Sequence, residues 1–415
     1  MTQGFLSQGT ASFYASSLLF FRESRMSRIT FELLERLVAF DTTSRHSNLA
    51  LIEWVAAYLQ RHGVASRFSY NDDRSKANLF ARIGPEGRPV LLLSGHSDVV
   101  PVDGQVWQSD PFVLSEREGR YYGRGAADMK GFIACVLASV PDWVELARNG
   151  LLEQPLGIAL SYDEEVGCLG VAGLIDDLKA GGIEVAGCII GEPTSMVPVV
   201  AHKGIAHYRC RVTGRAAHSS LTPRGVNAIE YAARLIAHIR RLADAEAQFG
   251  RRHALYDVPF ATLQTGMVRG GTAANIVPGE CEFVFECRWL PGDRHQRYVD
   301  SLRDYAATVL GEMREVAPEA DIELEALVDC PPFEADAASR VMALVDTLCG
   351  GVEGQGVAYT TEAGRFHEAG IPCVVCGPGA IEQAHRADEY IEGEQIETCC
   401  RWLQTLTRLL SGRGE

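Results

Sequence analysis

Imidazoles and carboxylates recur in this chain directly behind apolar runs, a placement that suits divalent-metal chemistry. GHSDVVP follows VLLLS and sets His96 and Asp98 one residue apart, so in extended chain both side chains point the same way. A carboxylate there can fix the tautomer of a ligating imidazole, with a loop-end hydrogen-bond pair as the bland alternative. GRGAADMKG surrounds Asp128 with glycines ahead of a helix, where plain N-capping competes with metal binding. SYDEEVG places three consecutive acids after LGIAL, and such acids repel one another unless a cation binds or they form a solvated turn. GEPTS puts Glu192 behind GCII, and EQAHRADEY carries His385 behind CVVCGPG. Together two His, one Asp and two or three Glu leave the ends of apolar strands. That set suits two divalent ions sharing one bridging carboxylate, with a spare Glu as proton shuttle.

The elements that must hold these groups alternate along the chain. Apolar periodicity predicts helices at Phe31–Phe40 and Asn48–His62, then strands at Asn78–Ile83 and Pro89–Ser94. A helix at Gly131–Ala147, the strand LGIALSYD, a helix near Gly170–Ala180 and the strand GCIIGEP follow. Alternation of this kind means an α/β sheet with helices on both faces, and sites in such sheets form where strands end. After Pro198 the order becomes strand Ala206–Thr213, helix Asn227–Ala243, strands Ala261–Val268 and Gly279–Arg288, helix Arg294–Met313 and strand Asp321–Leu327. That βαββαβ order is the split βαβ signature of an inserted domain. A helix at Ala335–Cys349, a strand at Cys373–Cys376 and a final helix at Glu394–Leu410 then resume the first pattern. The expected architecture is a catalytic domain over residues 26–203 and 326–415, interrupted by an α+β domain over 204–325.

Composition limits the alternatives. With 415 residues, 39 Lys and Arg against 54 Asp and Glu give a net charge of −15, which argues against a nucleic-acid partner. Hydrophobic residues at 47% and charged ones at 22% are enough for a real core, and no run of 18 apolar residues suggests a membrane span. Twelve cysteines are scattered through apolar runs and read as reduced, buried thiols; the CxxC of Cys373 and Cys376 lacks a second pair at zinc-site spacing. The adjacent Cys399 and Cys400 receive no role. Residues 1–25 show neither a basic n-region nor a cleavage site, so they read as a disordered extension or a misassigned start ahead of the amphipathic segment that begins at Met26.

HSDVVP, GRGAADMKG, DEE, GEPT, GRAAHSS, GGTAANIVP and the terminal GPG, EQAH and DEY occur in one order, and in that order the chain from about Met26 resembles the M20 metallopeptidase and deacylase family. The resemblance implies a zinc-peptidase-like catalytic domain, a mixed sheet flanked by helices, with a ferredoxin-like insert serving as lid and dimerisation domain. It implies two divalent ions, Zn or Co: His96 and Glu192 on one, Glu165 and His385 on the other, and Asp128 bridging both. Asp98 would orient His96, and Glu164 would act as general base. A cis peptide is implied between Asp128 and Met129. His218 of GRAAHSS would stabilise the oxyanion, often from a partner subunit, while Asn275 and Arg288 would hold substrate.

The implied activity is hydrolysis of a small N-acyl amino acid by a cytoplasmic homodimer. TTEAGRF, with Glu362 and Gly364, is closer to the TEA form of the members that deacetylate N2-acetyl-L-ornithine for arginine biosynthesis than to the TSDGRF form of desuccinylases. Glu362 is expected to meet the substrate's side-chain ammonium. Competing readings are a desuccinylase or an N-acetylcitrulline deacetylase. A metal-free binding protein would show lost ligands, and a disulfide-linked secreted protein would show paired Cys and a signal peptide.

Overall fold

The computed structural model describes residue 26 and residues 28–411; the expectation for residues 1–25 lies outside them. The described residues divide into two compact units, one of those up to 200 with 335–354 and 361–411, the other of 201–334 and 355–360.

In the larger unit, helices α1 (28–38) and α2 (Leu49–Arg61) precede strands β1 (Ser66–Tyr70), β2 (Ala77–Ile83) and β3 (Val90–His96). Helix α3 (Gly131–Arg148), β4 (Leu156–Ser161), α4 (Val171–Ala180) and β5 (Val185–Ile190) follow. The strands expected at Asn78–Ile83 and Pro89–Ser94 are β2 and β3, and β3 runs two residues further than its apolar run to end on His96. β1 was not expected from sequence: SRFSY is half polar and too short for a clear period of two.

The smaller unit runs β6 (Gly204–Thr213), α5 (Ala228–Phe249), β7 (Thr262–Gly270), β8 (Glu280–Trp289), α6 (Gln296–Val316) and β9 (Asp321–Cys330). The four strands lie in the order β7, β8, β6, β9, all antiparallel. β8 therefore splits the β6–α5–β7 unit, as the βαββαβ order predicts. Alternate residues of β6 and β8 are buried, and they share one core with Leu235 and Ile239 of α5 and Leu302 and Val309 of α6. The expected boundary at 325 falls short. A register shift between Ala326 and Val328 keeps β9 paired to β6 as far as Cys330, and 355–360 also belongs to this unit.

The chain returns to the larger unit with α7 (Arg340–Leu348), α8 (Ala363–Glu368), β10 (Cys373–Val375) and α9 (Gly393–Leu410). α7 begins five residues after the expected Ala335, because the Ser339 hydroxyl accepts the Met342 N–H and caps the helix there. Six strands of the larger unit lie side by side in the order β1, β2, β4, β3, β5, β10. β4, β3, β5 and β10 are mutually parallel. Every residue of β3 and β4 is buried, the continuous apolar pattern of strands covered on both faces. Four parallel carboxyl ends thus open on one edge of the sheet. All twelve cysteines are free, and eleven are buried. Among the described residues no helix is long and apolar enough to cross a membrane.

Candidate metal centre

β3 delivers His96 as its last residue, opposite Ser161 of β4, while Ser94 pairs with Ile190 of β5. The loop leaving β4 carries Glu164 and Glu165, the one leaving β5 carries Glu192, and the one beyond β10 carries His385. Asp128 sits in the turn between Gly125 and α3, and its peptide bond to Met129 is cis, as expected. Two glycines are required by space. Gly125 has φ +80, and a Cβ there would meet Val99 Cγ1 at 2.7 Å. A Cβ on Gly191 would lie 2.0 Å from the Phe132 ring, so only glycine lets the chain pass between Ile190 and Glu192.

The five expected ligands converge as two overlapping trios, His96 with Asp128 and Glu192, and Asp128 with Glu165 and His385. Asp128 contributes a different oxygen to each: Oδ1 is 2.9 Å from His96 Nε2, and Oδ2 is 3.2 Å from His385 Nε2. Glu192 Oε1 lies 3.9 Å from His96 Nε2, and Glu165 Oε2 lies 3.0 Å from His385 Nε2.

The electrostatics of this cluster suit a cation. Burial, reinforced by neighbouring carboxylates, pushes Glu192 and Glu164 well above the usual carboxylate range and Glu165 up to about 7. Burial would lower His96, but its hydrogen bond to Asp128 and the charges of Glu192 and Glu164 hold it well above the ordinary imidazole range. Hydrogen bonds to Asp128 and Glu165 raise His385 to about 10 against the effect of burial. Glu192 Oε1 is buried without a hydrogen-bond partner among the described residues. Dications bound there would supply both the compensating charge and the missing partner. Two imidazoles and three carboxylates are a donor set that fits Zn or Co.

Glu164 lies beside this cluster, and the Cys168 thiol donates to its Oε1 at 3.2 Å, a contact the sequence did not suggest. Asp98 acts differently from expectation. It is the Asp98 backbone carbonyl that meets His96 Nδ1, at 2.9 Å, whereas the nearest carboxylate oxygen is 3.6 Å away. The carboxylate instead accepts the Ser44 hydroxyl at 2.7 Å and the backbone N–H groups of Glu164 and Glu165 at 3.1 and 3.2 Å. Asp98 therefore fixes the loop that carries two acids of the centre, and Lys76 holds the same loop through Asp163.

The expected substrate contacts fare unevenly. Arg288 is already engaged: its Nε is 2.9 Å from Glu286 Oε1, and Nη1 donates to the Ala358 carbonyl at 2.9 Å. The carboxylate it grips is internal, and although burial opposes it, bonds from His207 and Arg288 hold Glu286 down at about 2. Glu362 is 0% exposed, with Oε2 3.4 Å from Ser94 Oγ on β3. Its charge bears on Glu164 and Glu192, so this buried carboxylate lies next to the metal cluster. Gly364 is buried in the first turn of α8, where its N–H donates to the Thr361 carbonyl at 3.4 Å. In the smaller unit His218 and Asn275 are neighbours: His218 pairs with Ile276, and the Ser219 N–H donates to the Asn275 carbonyl at 2.9 Å. Both residues are exposed. Ser220 engages His218 Nδ1 at 2.8 Å, leaving Nε2 without a partner among the described residues.

Comparison with known proteins agrees with this geometry. The family model described as peptidase family M20/M25/M40 matches residues 92–409. An acetylornithine deacetylase of Pasteurella multocida is 38% identical over 353 residues, 85% of this chain and 88% of that protein. An acetylornithine deacetylase of Proteus mirabilis is 37% identical over 361 residues, 86% of this chain and 89% of that protein. Among solved structures, an M20 family metallo-carboxypeptidase of Sulfolobus solfataricus superposes with a TM-score of 0.74 at 16% identity, covering 92% of this chain and 99% of its own. A dinuclear metal-binding M20 peptidase of Bacillus subtilis superposes with a TM-score of 0.63 at 13% identity, covering 94% and 99%. The fold, the ordered motifs and the extent of the sequence match agree: the chain belongs to peptidase family M20/M25/M40.

Proposed function

We propose that this protein is a two-metal amidohydrolase that converts N2-acetyl-L-ornithine and water to L-ornithine and acetate. The observation that carries the reaction is the pair of trios joined through Asp128, with Glu164 beside them. The substrate reading is supported by relatives at 35–38% identity that are named acetylornithine deacetylases. Zinc is the proposed metal, with cobalt able to occupy the same donors.

His96 and Glu192 would hold one ion, Glu165 and His385 the other, and Asp128 both. Bound there, the ions supply Lewis acidity toward the acyl carbonyl and make water a nucleophile at neutral pH. Glu164 takes the proton of the attacking water and returns it to the departing amine. Its raised affinity for protons, set first by burial, suits a group that must hold a proton between the two transfers. His218 Nε2 is assigned to the developing oxyanion and Asn275 to substrate binding. The smaller unit is assigned as lid and dimerisation domain, the protein as a cytoplasmic homodimer.

The test is the hydrolysis rate of zinc-loaded protein on N2-acetyl-L-ornithine, N-succinyl-diaminopimelate and N-acetyl-citrulline, with Glu164→Ala as the blank. Preference for acetylornithine that vanishes in the variant is expected. Preference for another acyl substrate would overturn the substrate assignment alone, and no hydrolysis of any with metal bound would overturn the reaction. Light scattering of the purified protein checks the dimer.

A further inference from the structure

Arg124 and Glu389 form an ion pair, 2.8 Å between Nη1 and Oε2, in which each side chain is only 1% exposed. The second Glu389 oxygen, Oε1, accepts the backbone N–H groups of Ala127 and Asp128 at 3.0 and 3.1 Å. On the other side, Arg124 Nη1 also donates to the carbonyl of Arg386, the residue after His385, at 3.3 Å. Nη2 donates to Gln105 Oε1, and Gln105 Nε2 donates to the His385 carbonyl at 3.1 Å. The guanidinium lies 5.0 Å from the Trp107 ring centroid, which covers it. His385 itself has φ +62, a left-handed conformation that a side-chain-bearing residue keeps only when its surroundings hold it.

A buried pair of this kind is poor evidence for stability, because desolvation offsets most of its attraction. Its hydrogen bonds, however, lead mainly to the turn that carries Asp128, to the Arg386 carbonyl just after His385, and to the Gln105 and Pro101 groups that steady the guanidinium. None of these bonds reaches His96 or Glu192, which strand ends already fix. We propose that Arg124 and Glu389 are positioning residues for the metal centre: they hold Asp128 and His385 in register, so the ion on Asp128, Glu165 and His385, which takes both, depends on them more than the ion on His96, Asp128 and Glu192, which takes Asp128 alone. This inference rests on the two-metal reading.

The experiment titrates full-length, chelator-stripped protein with Zn²⁺ by calorimetry and with Co²⁺ by visible absorption, for the natural protein, Glu389→Gln, Arg124→Lys and Gln105→Ala. In Glu389→Gln the second ion should bind about 10–100-fold more weakly, the range seen when outer partners of ligands are removed, and the first ion should weaken by a smaller factor. The Co²⁺ band added by the second equivalent should change more than that of the first. Arg124→Lys keeps the charge but not the planar fork, so it should restore little. Gln105→Ala spares the buried pair and should weaken the second ion alone, to a smaller extent. Uptake of fewer than two ions by the natural protein would overturn the metal reading and this inference with it. Two ions in the natural protein, with both weakened alike or neither weakened in the variants, would overturn this inference only.

Discussion

The two halves of the metal centre share Asp128 but are built by different means. His96 ends a wholly buried strand and Glu192 stands two residues beyond its neighbour; they are 1% and 4% exposed. Glu165 and His385 come from loops, and the His385 side chain is 49% exposed. Parallel strand ends set the first half through the sheet's own hydrogen bonds. The second half needs clamps: the Asp98 carboxylate on the Glu164 and Glu165 amides, and the Arg124–Glu389 pair on the two sides of Asp128 and His385. Ligands on strands are precise without help, whereas ligands on loops require a supporting layer. The two ions should therefore differ in affinity, the ion on the His96 side binding first.

The harshest way to break this asymmetry is to remove the shared ligand. Asp128→Ala should weaken both ions together and lower kcat/KM by more than the roughly 10²–10⁴-fold expected from losing a general base alone. Metal analysis of the purified variant beside its rate checks this; retention of two tight ions would show that Asp128 bridges nothing. Glu164→Gln comes next. It should leave both ions bound and lower kcat by about 10²–10⁴-fold, with little change in KM. Loss of an ion in that variant would make Glu164 a ligand instead.

Acid should weaken both ions, because His96 and Glu192 on one side and His385 and Glu165 on the other all hold protons more tightly than free groups. In the metal-free protein His385 titrates near 10, so throughout pH 5–8 it carries a proton that the incoming ion must displace. Affinity for the second ion should therefore rise about tenfold per pH unit through that range. Below about 7 Glu165 is protonated as well, and the dependence should steepen as pH falls. Titrations at four pH values check the slope, and a flat profile would show that His385 is not a ligand.

How much of this was legible in the sequence follows from what each feature depends on. β3, β4 and β5 were legible because strands covered on both faces must be continuously apolar, and candidate ligands were legible as imidazoles and carboxylates beyond such runs, while their division between two ions came only from the order of the motifs. The βαββαβ order followed from helical and strand periods alone. Less legible was what faces each polar group. Arg124 and Glu389 lie 265 residues apart, and each sits inside a recognisable motif with no sign of the other. The ion pair of Arg288 went unread although its partner was visible, for Glu286 is two residues away on the same strand and so on the same face. The burial of Glu362 was not legible, because a sequence shows a carboxylate's type and not its depth.

Glu362 offers the mildest test, on the wall that backs β3. It is fully enclosed, Oε1 has no hydrogen-bond partner among the described residues, and burial raises its carboxyl to about 7 in the metal-free protein, against the pull of Ser161 and His96. A protonated carboxyl and an amide have nearly the same shape, so Glu362→Gln should leave KM for N2-acetyl-L-ornithine and the preference among acyl substrates unchanged. The stability of the metal-free protein should nonetheless respond to pH. The folded carboxyl titrates above the unfolded one, so the folded state holds more protons between about 4.5 and 7, and the natural protein should lose stability as pH rises through that window. Glu362→Gln lacks the proton and should lose less. Denaturant melts of both proteins at pH 5 and pH 7 measure the difference, and a selective rise in KM for acetylornithine in the variant would instead return Glu362 to the substrate.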